Sequence, residues 1–268
     1  HLHKLEKEPA LITRIGTDDR GKELERIFSS HGVYTGYFQH DPEHETGVVY
    51  AHPRSDHEMV YDIVKPVAWD FISWRDEYAN LVGKADFFVF GSLAARGEVS
   101  HRTLMHLLES AGKRVFDINL RSPHYNQQLI EILLQKTNIL KLNESELNLI
   151  AGWFGYQDTI EDSVLRIMEK FGVETVVVTM GKDGAMLFMQ NQVFAHKGFH
   201  VKVADTVGSG DAFLAGLLSK LLDHALPAEA LEYACGMGAF IASKTGACPD
   251  YLLKEIDDLI GRKEIFQV

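Results

Sequence analysis

The chain is 268 residues long with a formal net charge of −11, enough for one large core and the wrong sign for binding nucleic acid or anionic lipid. Its 46% hydrophobic and 24% charged residues are an ordinary globular balance. No apolar run approaches the ~18 residues of a membrane span. Two cysteines, Cys235 and Cys248, are too few for a disulfide framework or a zinc site, and both are expected as buried free thiols in a reducing cytoplasm. The thirteen histidines read as scattered surface positions.

Residues 1–7 read as the tail of a helix and 10–16 as a buried strand after it. A strand–helix–strand unit needs a strand before that helix, so an N-terminal strand is expected to be absent from the chain as given. From about 34 to 64, β-prone pieces follow one another with no helix between them; 46–50 and 59–63 are strand candidates. They suggest either a small sheet projecting from the main body over 34–66 or a long surface hairpin. Downstream, short β-prone runs at 86–90, 114–118, 139–142 and 175–179 alternate with amphipathic stretches at about 100–112, 126–136, 144–153 and 158–171. This alternation predicts an α/β fold, a mostly parallel sheet covered by helices on both faces. The expected division is a core of 1–33 and 67–268 with 34–66 apart. Ligands of such sheets collect beyond the carboxyl ends of the strands. Asn119, Asn143 and Gly181 each follow a strand closely and are expected on one rim.

Asn143 and Glu146 stand three apart at a predicted helix start. That spacing fits a capping box, and it also fits a hydrated magnesium ion, which prefers oxygen ligands and keeps several waters. Residues 179–185 read as a turn between strands, as their glycines and aspartate favour.

The most informative stretch is Asp205-Thr206-Val207-Gly208-Ser209-Gly210-Asp211, which runs into an apolar helix at 212–222. It places three small residues at a helix N-terminus, where unpartnered amides and the helix dipole favour an anion and bare backbone admits a phosphate. Asp211 puts a carboxylate into that anion site. It is either an N-cap or a general base beside a transferring phosphoryl group. No P-loop is present, and Gly208-x-Gly210 lacks the third glycine of a dinucleotide fingerprint.

The string from Asp205 to Gly216 resembles the C-terminal signature of the ribokinase-like sugar kinases, the phosphofructokinase B family. The resemblance extends over essentially the whole chain and implies a ribokinase-like fold with a small β lid over the sugar at 34–66, through which a homodimer would form. It implies that Gly208, Ser209 and Gly210 form an anion hole for the phosphates of ATP and that Asp211 deprotonates the sugar hydroxyl. Asn143 and Glu146 would hold Mg2+ through water. Thr179, Gly181 and Gly184 would border the nucleotide, and the helix carrying Ala234 and Gly238 would receive adenine, with Gly238 where relatives often use Asn. Asp205, Val207 and Thr245 would frame a monovalent cation such as K+. The string Asp117-Ile118-Asn119-Leu120-Arg121, with Phe90-Gly91-Ser92-Leu93-Ala94, is similar to the fructokinase branch, which points Asn119 and Arg121 at the sugar. The implied activity is ATP-dependent phosphorylation of a sugar primary hydroxyl in the cytoplasm, D-fructose to fructose 6-phosphate first. Ribose, a nucleoside and 2-keto-3-deoxygluconate are the alternative substrates. A non-catalytic sugar sensor or partner-binding protein on the same fold is the alternative of another class, against which the intact Asp211 argues.

Overall fold

The computed structural model describes residues 1–53, 59–156 and 159–261. The chain divides into two compact units, a first of residues 8–112 and 120–129 and a second of residues 1–7, 113–119 and 130 onward.

In the first unit, β1 (Thr13–Gly16) pairs in parallel with β2 (Phe38–Asp41), and α1 (Asp19–Ser30) makes the crossover. The helix starts where Asp18 accepts a hydrogen bond from the Gly21 amide at 2.8 Å, an N-cap. β3 (Val49–Pro53) and β4 (Met59–Ile63) form a separate antiparallel pair with Val49 opposite Ile63. The range 34–66 is therefore not one projecting sheet. Phe38 and Asp41 are buried, and β2 joins β1, which leaves β3 and β4 as the separate pair. The strand expected at 46–50 begins only at Val49, because Thr46 is tied down: its amide donates to Asp18 at 2.6 Å and its hydroxyl accepts from Gly16 at 2.9 Å. α2 (Glu77–Lys84), β5 (Phe88–Gly91) and α3 (Glu98–Ser110) follow, with Tyr78, Val82 and Leu107 in one apolar cluster.

The second unit comprises β6 (Arg114–Asp117), α4 (Gln127–Leu134) from Ile130 onward, β7 (Ile139–Asn143), α5 (Glu144–Trp153), α6 (Ile160–Phe171), β8 (Thr175–Thr179), β9 (Ala185–Met189), β10 (Gln192–His196), α7 (Ser209–Leu222), α8 (Pro227–Ala242) and α9 (Leu253–Ile260). Its strands lie in the order β10-β9-β8-β7-β6. The pairs β6–β7 and β7–β8 are parallel, and β9 and β10 extend the sheet antiparallel. Val176, Val177 and Val178 are all closed from solvent, as a parallel strand covered on both faces requires. Residues 1–7 form consecutive turns rather than a helix tail, with the Leu5 amide bonded to the His1 carbonyl at 3.0 Å and Leu5 packed in the core with Ala212 and Met237. Cys235 is buried, and burial pushes its thiol up to about 12. Cys248, expected to be buried as well, is exposed because it lies in the loop after α8. No helix among the described residues is long and apolar enough to cross a membrane.

Candidate active site

Among the candidate residues of the second unit, Gly208, Ser209, Gly210 and Asp211 form the start of α7, and Gly238 packs beside it. Gly208 is the N-cap residue, left-handed at φ +79°, and having no side chain it leaves the first-turn amides without a side-chain cap. A Cβ on Gly208 would lie 2.5 Å from the Ala247 carbonyl oxygen, so only glycine fits. The loop is fixed from beneath by Asp205, whose carboxylate accepts from the Val207 amide at 3.0 Å and the Gly246 amide at 3.2 Å. Ser209 Oγ donates to the Thr206 carbonyl at 2.8 Å. Asp211 is the third residue of the helix, and it is exposed. The Ser209 amide donates to the Thr206 carbonyl at 3.3 Å, and the turn presents a positive dipole end with a carboxylate beside it. Val207 and Thr245 are exposed on the two loops that Asp205 links.

The parallel register aligns the strand ends. Asp117 is opposite Lys141, and Asn143 is opposite Thr179. After β7, Asn143 Oδ1 accepts from the Glu146 amide at 2.9 Å while Glu146 Oε2 accepts from the Asn143 amide at 2.9 Å, a complete capping box. Among the described residues no group of three His, Cys, Asp or Glu is arranged to hold a metal directly.

Beyond β8, Gly181 and Gly184 both take positive φ, +59° and +90°, and the Met180 amide bonds the Gly184 carbonyl at 2.8 Å. A side chain on Gly184 would run into the His196 carbonyl. Ala234, expected at the nucleotide, is fully buried in the core with Leu217 and Leu231, so it offers a ligand no surface; small size there serves the packing of α8 on α7. Gly238 is half-buried, and a Cβ on it would stand 3.3 Å from the Ser209 carbonyl, pressing on the first turn of α7. Asn119 follows β6 in a left-handed conformation, φ +43°, and is exposed. Arg121 belongs to the first unit, where its Nη1 donates to the Leu120 carbonyl at 2.9 Å.

Lys141 is a member that sequence reasoning missed. It lies on β7 with its Nζ 2.8 Å from Asp117 Oδ1, both side chains nearly closed from solvent. A Cβ on Gly210 would be 3.4 Å from that Nζ. Burial pushes the Asp117 carboxyl up and the Lys141 ammonium pulls it down, while the negative charges of Asp211 and Glu146 add to the upward push. The available signal was a lysine inside Ile139-Leu140-Lys141-Leu142, a strand that is otherwise apolar on both faces.

The first unit holds a cavity of about 590 Å³ with Lys65, Arg96, His101, Arg102, His124 and Tyr125 among its lining residues. Burial and then the cations Arg96 and Lys65 hold the His124 imidazole below its ordinary value, against the opposing charge of Asp70.

Residues 1–253 match the model of the pfkB family carbohydrate kinases. The chain is 26% identical over 258 residues to a fructokinase of Solanum tuberosum, covering 92% of this chain and 78% of the relative. It is 28% identical over 259 residues to an aminoimidazole riboside kinase of Salmonella typhimurium, covering 91% and 79%. The crystal structure of a Vibrio cholerae fructokinase with fructose, ADP and calcium ion bound shares its fold, with a TM-score of 0.82 at 24% identity over 97% of this chain and 87% of that one. The chain belongs to the pfkB family of carbohydrate kinases, and it is an ATP-dependent sugar kinase of ribokinase-like fold.

Proposed function

We propose that the enzyme phosphorylates D-fructose on its primary 6-hydroxyl, giving fructose 6-phosphate and ADP. The observation that carries the chemistry is Asp211 at the third position of a helix whose N-cap, Gly208, has no side chain. A carboxylate inside an anion site is unfavourable for binding phosphate and useful for taking a proton beside it. The sugar oxygen attacks the terminal phosphorus in line, the bond from phosphorus to the bridging oxygen breaks, and the hydroxyl proton passes to Asp211. The amides of Gly208, Ser209 and Gly210 stabilise the charge that builds on the phosphate oxygens.

When bound, Mg2+ would neutralise nucleotide charge, and its place is beside Asn143 and Glu146 through water. Thr179, Gly181 and Gly184 border the nucleotide in this reading, with Gly238 on α8. K+ beside Asp205, Val207 and Thr245 would rest on main-chain carbonyls, because the Asp205 carboxylate already accepts from two amides. Asn119 and Arg121 are assigned to the sugar, and the lid and dimer role of 34–66 rests on the family resemblance. The choice of fructose is supported by the Asp117-x-Asn119-Leu120-Arg121 string and by the fructokinase relative.

The runner-up substrate is an acid sugar, 2-keto-3-deoxygluconate, an alternative that the family resemblance carries. Values of kcat/KM for fructose, ribose, glucose, a nucleoside and 2-keto-3-deoxygluconate, at saturating ATP and magnesium, test both. Fructose is expected to lead; sites that hydrogen-bond a particular hydroxyl can reject an analogue lacking it by about 10⁴–10⁵. A higher value for any other sugar overturns the fructose assignment and leaves the kinase intact.

A further inference from the structure

We infer that Lys141 is a catalytic cation of this enzyme, donating from Nζ to the terminal phosphate of ATP at the N-terminus of α7, with Asp117 as the residue that positions it. The inference rests on the proposed role of the α7 turn. Three observations carry it. The Lys141 side chain is 10% exposed and that of Asp117 is 12%, so an ion pair is held almost out of water at 2.8 Å. Its ammonium lies against Gly210, where a Cβ would be 3.4 Å away, so the missing side chain leaves Nζ beside the backbone of the open turn. And Asp117 feels the charges of Asp211 and Glu146, so the pair lies within electrostatic reach of both carboxylates.

A purely structural role explains these facts poorly. The strands β6 and β7 are already joined by their backbone ladder, with Asp117 and Lys141 as opposed residues. Two apolar side chains of similar volume would tie them together without the desolvation cost of two charges. A lysine has three N–H donors, and its bond to Asp117 uses one of them. The phosphate site proposed here lacks a P-loop lysine, and the protein's net charge of −11 repels a nucleotide. A fixed ammonium under the turn supplies the missing positive charge. During transfer the pair of electrons of the breaking P–O bond leaves with ADP, the proton goes to Asp211, and Lys141 keeps its own protons throughout, acting by charge.

The test uses the full chain with Lys141→Met, Lys141→Arg and the apolar pair Asp117→Leu/Lys141→Met, with Asp211→Asn as reference. Lys141→Met is expected to lower kcat by about 10²–10³, the cost of removing one preorganised donor. It should weaken ATP binding about tenfold or more by calorimetry and leave AMP binding unchanged. Lys141→Arg should recover most of the lost rate. The apolar pair should melt at or above the Tm of Lys141→Met yet stay as slow, which a structural role does not predict. Should Lys141→Met not fold, the apolar pair decides the question alone. A folded Lys141→Met or apolar pair with kcat within about threefold of the parent, while Asp211→Asn is slow, overturns the Lys141 assignment and leaves the active-site reading standing. An Asp211→Asn enzyme with the parent's kcat overturns that reading, and with it the inference.

Discussion

Arg96 and Asp70 form a bidentate ion pair inside the first unit, with Nε to Oδ1 at 2.7 Å and Nη2 to Oδ2 at 2.9 Å, and both side chains are almost fully buried. The guanidinium also lies 3.7 Å from the centroid of the Trp69 ring and donates from Nη2 to the Val64 carbonyl at 2.7 Å. One side chain thus fixes the segment leaving β4 to the turn that carries Trp69 and Asp70.

Arg96→Met is expected to destabilise the protein by about 3–5 kcal/mol, because it leaves the Asp70 carboxylate buried without its partner. Arg96→Lys should recover only part of this, since an ammonium cannot make the forked contact or stack on the indole. Thermal melting of the three proteins checks both statements, and an Arg96→Met Tm equal to the parent's would show the pair to be energetically idle.

Asp211→Asn is expected to fold normally and bind ATP, because the residue is exposed and the α7 turn has no side-chain cap to lose. Its kcat should fall by about 10²–10⁴, the usual contribution of a positioned base. Steady-state rates beside a melting curve separate chemistry from stability.

Glu146→Gln keeps an oxygen that can accept from the Asn143 amide, so the capping box and the Tm should survive. Removing the negative charge should nonetheless raise the magnesium concentration needed for half-maximal rate. Asn143→Ala, in contrast, should cost about 0.5–2 kcal/mol through loss of the cap. A magnesium titration of Glu146→Gln that overlays the parent would confine Glu146 to capping.

Acid stability depends on Asp41. Burial alone would raise its carboxyl, but the Arg14 guanidinium at 2.7 Å and the amides of Glu43 and His44 outweigh that and hold it at about 2, below the ordinary 3.8. The folded state therefore binds this proton less readily than the unfolded chain. The stability Asp41 contributes is present above pH ~4 and is lost as the pH falls through ~2. Denaturation followed from pH 5 to pH 2 should show this slope in the parent and a reduced one in Asp41→Asn.

Features with local causes are legible in the order of residues alone. The small residues from Gly208 to Gly210 ahead of an apolar run set the start of α7, and the spacing of Asn143 and Glu146 set a capping box, because caps and helix starts depend on residues three or four apart. The strands β6, β7 and β8 were legible for the same reason, as apolar runs between amphipathic helices. Relationships between distant segments come from packing instead. Nothing near Phe38 says that β2 pairs with β1 rather than with the β-prone run after it; the burial of Phe38 and Asp41 decides that. Ala234 looked like a ligand surface and proved to be core, because which face of α8 meets α7 is set by packing across the helix pair. Lys141 was hidden in an apolar strand, since a buried charge shows its purpose only when its partner 24 residues away, Asp117, and the bare backbone of Gly210 are brought against it.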